Sequence, residues 1–193
     1  MKRKRVVVRG DPLQRYYTPD ALAERLVALL PVHGGSRVLE PSAGGGAFVR
    51  ALGAMTPHVY ALDLDPRAPV LQSRRVAVAD RRVGDFLAPL PAGWPRFDLV
   101  VGNPPYGEAE AHVRRAIEVV CPGGTVAFLL RLGFLASQGR RALWREHPLS
   151  VLHVLSERPS FTRGATDKYD YALYVWVRGA AFGGTRLEML SWR

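Results

Sequence analysis

The 193-residue sequence has little of several features on which whole classes of protein depend. Cys121 is its one cysteine, which excludes an intrachain disulfide and any metal site built from several cysteines. It has no apolar run near the roughly 20 residues of a membrane-spanning helix, and no apolar core of about 7–15 residues follows its basic start. Its five histidines do not stand at metal-ligand spacing. We therefore expect a cytoplasmic protein with no membrane segment, no secretory signal and no metal site.

Acidic residues are scarce beside basic ones, 17 against 27, which gives a net charge of +10. Such an excess suits a polyanionic partner, although a generally arginine-rich composition would give the same figure. Hydrophobic residues make up 48% of the chain and charged residues 23%, which favours a folded core over disorder. The length predicts one catalytic domain over residues 1–193, with no separate target-recognition domain.

Short apolar runs alternate with helical stretches that end at proline or glycine, a pattern typical of a parallel sheet with crossover helices. The last two runs are joined by a loop at 157–170 without a helix. We therefore expect an α/β fold with a mostly parallel seven-stranded sheet, an antiparallel strand at its C-terminal edge, and helices on both faces. The predicted strands are 37–40, 59–63, 76–79, 97–101, 125–130, 151–155 and 171–177, with 187–192 as a further candidate; the predicted helices are 21–30, 48–55, 108–120 and 134–147.

A glycine-rich loop, Glu40-Pro41-Ser42-Ala43-Gly44-Gly45-Gly46-Ala47-Phe48, follows the first predicted strand. Glycines there let the backbone turn sharply and approach a ligand. The spacing alone also fits a dinucleotide site. Glu40, however, would repel a pyrophosphate and attract the ammonium of a methionine, which favours S-adenosylmethionine. The predicted cofactor residues of this loop are Glu40, Ser42, Ala43, Gly44 and Gly46.

Two further loops carry acids where a nucleoside would need them. Asp63 and Leu64 lie at the tip of the second predicted strand, about 20 residues past the glycines, which is the offset of a ribose-binding acid. After the third strand, Asp85 can accept a hydrogen bond from an adenine amino group and Phe86 can cover the ring. A capped loop with a core phenylalanine is the alternative for this last pair.

The segment Asn103-Pro104-Pro105-Tyr106 ends the fourth predicted strand. Its prolines stiffen the backbone and remove two donors. The Asn103 amide oxygen and the Pro104 carbonyl can then accept both hydrogens of a planar NH2 group, which makes its nitrogen more nucleophilic. Tyr106 can stack on that group, and stacking is worth about 1–3 kcal/mol per base, against a few kcal/mol to extract a base from a duplex. We predict Asn103, Pro104 and Tyr106 as catalytic residues, with Asn103 also bordering the cofactor.

These motifs resemble those of the N6-adenine DNA methyltransferases, particularly small phage- or plasmid-type enzymes. In that comparison Tyr16-Tyr17-Thr18-Pro19 resembles an N-terminal motif that closes over the methionine end of the cofactor, although Thr18 and Pro19 also suit a helix start. Segment 158–162 resembles a loop near the flipped base, which makes Phe161 a second candidate aromatic, with core packing as its rival. The resemblance implies a Rossmann-like class I methyltransferase fold, S-adenosylmethionine as cofactor, DNA as partner, a restriction–modification setting, and Tyr17, Thr18 and Pro19 as cofactor residues.

No target-recognition domain is evident in this length of chain, which is a departure from sequence-specific members of that family. Specificity could be low, or could come from loop 157–170, a homodimer or a partner subunit. Arg158, Arg163, Lys168 and the basic N-terminus are candidate phosphate contacts, and each could equally be a solvated surface charge. Three other functions stay open: an RNA adenine methylase, a glutamine methylase of release factors, and an inactive DNA-binding accessory subunit.

Overall fold

The computed structural model of the chain describes residues 16–73, 76–161, 167–181 and 183–193. Within these ranges one sheet contains all the strands, and no helix is long and apolar enough to cross a bilayer. The strands are β1 (Val38–Glu40), β2 (Val59–Asp63), β3 (Asp80–Val83), β4 (Phe97–Gly102), β5 (Val120–Arg131), β6 (Val151–Leu155), β7 (Tyr171–Val177) and β8 (Arg186–Leu190). The α-helices are α1 (Asp20–Val27), α2 (Ala47–Gly53), α3 (Pro69–Gln72), α4 (Ala109–Val119) and α5 (Arg141–Glu146).

The strand order is β3-β2-β1-β4-β5-β7-β6-β8. All neighbouring pairs are parallel except the two made by β7, which runs antiparallel to β5 and to β6. The predicted α/β class is therefore confirmed, but two details were wrong: the described residues form eight strands, and the reversed strand lies inside the sheet. The burial of the strands explains this. Nearly every residue of β7 is buried, which suits a strand with partners on both sides, whereas most of β8 is at least partly exposed and suits an edge.

Helices cover both faces of the sheet, as predicted. Successive strand residues point to opposite faces, so Val38 of β1 joins a core with Phe48 of α2, while Leu39 joins a second core with Val113 of α4. Both cores are formed by residues that are almost fully buried. Burying each large apolar side chain contributes about 1.5–3 kcal/mol, so the two layers hold the sheet and its strand ends in place.

Two predicted elements were misplaced. The third strand was predicted at 76–79 but lies at Asp80–Val83, where it pairs with β2 as an edge strand. Its residues are partly or fully exposed, so it lacks the apolar run that marks the other strands. The helix predicted at 134–147 is broken into two 3-10 turns, Leu132–Phe134 and Gln138–Arg140, followed by α5. Gly139 lies in the break, and glycine costs about 1 kcal/mol inside a helix relative to alanine.

The strand order changes direction between β1 and β4, since β2 and β3 lie on one side of β1 and β4 and β5 lie on the other. β1 and β4 are adjacent and parallel, with Val38 opposite Leu99. Ligands of such sheets bind beyond the carboxyl ends of the strands at this switch point. The fold therefore brings the glycine-rich loop after β1 beside the Asn103–Tyr106 segment after β4.

Candidate active site

The glycine-rich loop has a backbone that only glycine suits at two positions. Gly44 and Gly46 have φ angles of 46° and 80°, in the left-handed region that disfavours other residues. A Cβ atom on Gly46 would also lie 2.8 Å from Val70 Cγ2. The Gly44 N–H donates to Asp63 Oδ2 at 2.7 Å, and the Asp65 N–H donates to Asp63 Oδ1 at 2.8 Å. The tip of β2 is thereby fixed against the loop after β1.

One pocket at the carboxyl ends of β1, β2 and β4 brings the predicted cofactor residues together, with Pro19 as the exception. Pro19 is instead the N-cap residue of α1. Asp85 accepts a hydrogen bond from the Leu87 N–H, and Phe86 is 2% exposed within the second core while one side of it reaches the pocket. The predicted residues that line the pocket are Tyr17, Thr18, Glu40, Ser42, Ala43, Gly44, Gly46, Asp63, Leu64, Asp85, Phe86 and Asn103.

Glu40 is the most unusual ionisable group of this pocket. Its side chain is almost fully buried, and its Oε2 atom has no hydrogen-bond partner. Burial raises the pKa of Glu40 well above its ordinary value, and the nearby Asp63 charge raises this pKa further. A buried acid with an open acceptor suits a positively charged group, because an opposite charge would offset the cost of burying the carboxylate.

Asn103 is held by its amide nitrogen, and its amide oxygen is left open. Nδ2 donates to the Tyr16 carbonyl and to Thr18 Oγ1, at 3.2 Å each. The Tyr16 carbonyl can only accept, which settles the orientation of the amide. Oδ1 is buried without a partner. The predicted capping role of Thr18 was wrong, since α1 has no side-chain cap and the Thr18 hydroxyl contacts Asn103 instead.

An aromatic cluster adjoins Asn103. The Tyr16 ring stacks on the Tyr106 ring, with centroids 5.6 Å apart and an interplanar angle of 25°, and its centroid lies 6.1 Å from that of Phe161. Burial raises the pKa of Tyr106 far above its usual range, which keeps its phenol neutral. Phe161 also packs against the first core, so core packing and a place beside Tyr16 are both observed for it. Pro104, which follows Asn103, is buried.

The predicted phosphate contacts differ in their surroundings. Arg158 forms an ion pair with Asp170 at 2.7 Å, so its charge is already compensated. Lys168 lies in a second pocket, with its Nζ atom 5.1 Å from the centroid of the Tyr169 ring. Arg163 and the basic N-terminus lie outside the described residues.

Sequence reasoning missed His112 as a residue of the cofactor pocket. Its Nδ1 lies 3.1 Å from the Glu108 carbonyl, and its ring centroid is 5.5 Å from that of Phe86. Burial lowers the pKa of His112, which favours the neutral ring. Its position in the first turn of the helix after the Asn103–Tyr106 segment was the available signal.

No protein-family model matches the chain, but curated relatives match part of it. A type II methyltransferase of Thermus thermophilus is 38% identical over 51% of this chain, and a type I restriction enzyme methylase subunit of Methanocaldococcus jannaschii is 33% identical over 56%. A tRNA (guanine(6)-N2)-methyltransferase from another strain of Thermus thermophilus is 32% identical over 66%. The chain spans 22% of the length of each of the first two relatives and 49% of the third.

Solved structures show the same fold. The M protein of the type I restriction enzyme EcoKI superposes with a TM-score of 0.72 at 17% identity, covering 86% of this chain and 44% of that one. A structure from Listeria monocytogenes, described as a class I S-adenosylmethionine-dependent methyltransferase, superposes with a TM-score of 0.67 at 12% identity. The match covers 94% of this chain and 67% of that one. The class I methyltransferase fold is confirmed, and the similarity to a type II methyltransferase and to a type I restriction enzyme methylase subunit supports the resemblance found in the motifs. S-adenosylmethionine is therefore the expected cofactor.

Proposed function

We propose that this chain is the catalytic unit of a methyltransferase that transfers a methyl group from S-adenosylmethionine to N6 of adenine in DNA. One observation carries the proposal: Asn103 Oδ1 is a buried acceptor with no partner, beside the pocket that contains the predicted cofactor residues. An unpaired buried acceptor costs about 1–3 kcal/mol, so a ligand that donates a hydrogen to it would recover that free energy.

The residues of the pocket fit S-adenosylmethionine. The open Oε2 of Glu40 suits the ammonium of its methionine part, and Asp63 suits the ribose hydroxyls. Asp85 and Phe86 suit its adenine. When bound, the cofactor supplies an electrophilic methyl group on a sulfonium sulfur.

Asn103 prepares the accepting nitrogen. Because Tyr16 and Thr18 hold its Nδ2, its Oδ1 can only accept, and it accepts one hydrogen of the target amino group. This hydrogen bond draws the hydrogen out of the base plane and localises the nitrogen lone pair. No group in this arrangement needs to act as a strong base, since the proton can leave after the nitrogen has become positively charged.

The Tyr16 ring suggests where the target base lies. It demonstrates that a planar ring fits against Tyr106 with Phe161 at its edge. We infer that the base takes this place when Tyr16 rotates about its side-chain bonds, which leaves the hydrogen bond from Asn103 to the Tyr16 backbone intact. Stacking on Tyr106, at about 1–3 kcal/mol, would offset part of the cost of flipping the base.

The charge of +10 and the similarity to a type II methyltransferase and a type I restriction enzyme methylase subunit favour DNA as the substrate. RNA is the second candidate, because the tRNA methyltransferase matches a larger share of this chain and also takes an exocyclic amino group. We propose that a partner subunit supplies sequence specificity, because the type I relative is the methylase subunit of a restriction enzyme.

Transfer of a tritiated methyl group tests the proposal. Wild-type protein is incubated with the labelled cofactor and, in parallel, with unmethylated duplex DNA, rRNA, tRNA or a release factor. We expect label in DNA, about a 100- to 1,000-fold loss in Asn103→Ala by analogy with the removal of one transition-state hydrogen bond, and little loss in Gln72→Ala, which removes an exposed amide. Label in RNA or protein but not in DNA would reject the DNA assignment.

A further inference from the structure

A second pocket shares the Tyr106 side chain with the catalytic loop and lies at the carboxyl end of β5. None of the cofactor-binding motifs accounts for it. Its lining combines aromatic and basic side chains, together with the Asp170 carboxylate, which pairs with Arg158. The aromatic and basic residues are Tyr106, Arg131, Phe134, Arg140, Lys168 and Tyr169. Basic grooves with aromatic faces are typical of proteins that bind nucleic acid strands, because the cations meet phosphates and the rings meet bases.

Arg131 is the central residue of this pocket. Its guanidinium carbon lies 4.5 Å from the centroid of the Tyr106 ring and 3.9 Å from that of Tyr169. Both distances are within the range of cation–π attraction. The two rings therefore fix the plane of the guanidinium beside the residue that we assign to the target base.

The charge of Arg131 has no carboxylate to compensate it within the described part of the chain. No ion pair among the described residues includes Arg131, and its buried Nε has no hydrogen-bond partner there. Other arginines are paired, such as Arg37 with Asp98 and Arg158 with Asp170. A buried donor without a partner costs free energy, so an anionic acceptor is the ligand that this group lacks.

We propose that Arg131 binds the phosphodiester of the DNA strand next to the target nucleotide. The inference rests on the proposed function, because it takes DNA as the substrate. The planar fork of a guanidinium matches two phosphate oxygens, and stacking on Tyr106 and Tyr169 orients it in advance. The contact would hold the strand while the base lies against Tyr106.

The salt dependence of DNA binding tests this role. Each phosphate contact contributes about 0.9 to the slope of log affinity against log salt for duplex DNA. We expect Arg131→Gln to reduce the magnitude of the slope by about 0.9, the contribution of one phosphate contact. The affinity for S-adenosylmethionine should stay unchanged. Arg82→Gln is the matched control, because Arg82 is an exposed arginine on β3, roughly 19 Å from β5 at the usual strand spacing. Arg82→Gln should leave the slope unchanged.

Arg131→Lys separates the charge from the packing of the side chain. Arg131→Lys keeps the charge and should keep most of the slope. If Arg131 only supported the Tyr106 ring, neither Arg131→Gln nor Arg131→Lys would change the slope. An unchanged slope in Arg131→Gln, or an equal fall in Arg82→Gln, would overturn the proposal.

A methylphosphonate next to the methylated adenine, once that adenine is located by sequencing, supplies a second test. The methylphosphonate should weaken DNA binding by wild-type protein but should not weaken DNA binding by Arg131→Gln any further. Equal weakening for both proteins would also overturn the proposal. If wild-type protein methylates DNA but the salt-dependence and methylphosphonate tests do not give the expected results, only the Arg131 assignment is rejected. If wild type methylates no DNA, the proposed function fails first.

Discussion

Replacing Glu40 with glutamine keeps the shape of the side chain but removes the charge that we assign to the ammonium of the cofactor. Glu40 is 3% exposed and its Oε2 has no partner, so water screens that charge little. A hydrogen bond to a charged group is worth about 1.5–3 kcal/mol, which corresponds to roughly a 10- to 150-fold change in affinity. We expect a loss near the lower end, because the glutamine amide oxygen still accepts a hydrogen bond.

Calorimetry with two ligands isolates the effect. S-adenosylhomocysteine carries the ammonium, and 5′-methylthioadenosine lacks it. Glu40→Gln should weaken the first and leave the second nearly unchanged, while Glu24→Gln, on the exposed face of α1, should change neither. Equal weakening of both ligands by Glu40→Gln would refute the assignment of Glu40 to the ammonium.

The pH dependence of the ligand-free protein provides an independent check on Glu40. Its folded-state pKa is raised well above 4.5, chiefly by burial. Between pH 4.5 and the raised pKa of the folded state, the folded chain binds more protons than the unfolded chain. The free energy of unfolding therefore falls as pH rises through this range. Glu40→Gln removes this contribution. The variant should melt above wild type at neutral pH without ligand, and a lower melting temperature there would contradict the reasoning.

The remaining predictions concern the loops around the two ligands. Asp63→Ala should weaken S-adenosylmethionine binding at least about 10-fold in calorimetry, since it removes a charged acceptor, and unchanged binding would oppose its ribose role. Gly46→Ala should lower the free energy of unfolding in urea by about 2–4 kcal/mol through its positive φ and a steric clash, whereas Gly45→Ala should cost little; equal effects would contradict this. Phe161→Ala should weaken DNA binding about 2- to 13-fold, the value of one edge-to-face ring contact, without changing cofactor affinity; unchanged DNA binding would leave Phe161 a core residue only.

The sequence allowed the cofactor loops to be predicted because strand tips of a parallel sheet meet at one edge. Glu40, Asp63 and Asn103 each follow an apolar run, and the topology places all three in one pocket. The general fold class followed from the same alternation of strands and helices.

Other features depend on contacts between distant parts of the chain. The bond from Asn103 to Thr18 joins residues 85 positions apart, and local pattern gave Thr18 a helix cap instead. The position of β7 between β5 and β6 depends on which strand finds partners on both sides, which periodicity alone does not decide. Arg131 contacts the rings of Tyr106 and Tyr169, which lie far from it in sequence, and the pairing of β5 with β7 sets it opposite Tyr171.

The product of the reaction tests the central claim most directly. Unmethylated duplex DNA is incubated with S-adenosylmethionine that carries a deuterated methyl group, and its nucleosides are then identified by mass spectrometry. We predict deuterated N6-methyladenine with wild-type protein and at least about 100-fold less with Asn103→Ala. Label on another base, or equal label with Asn103→Ala, would contradict the assignment of Asn103 to the adenine amino group.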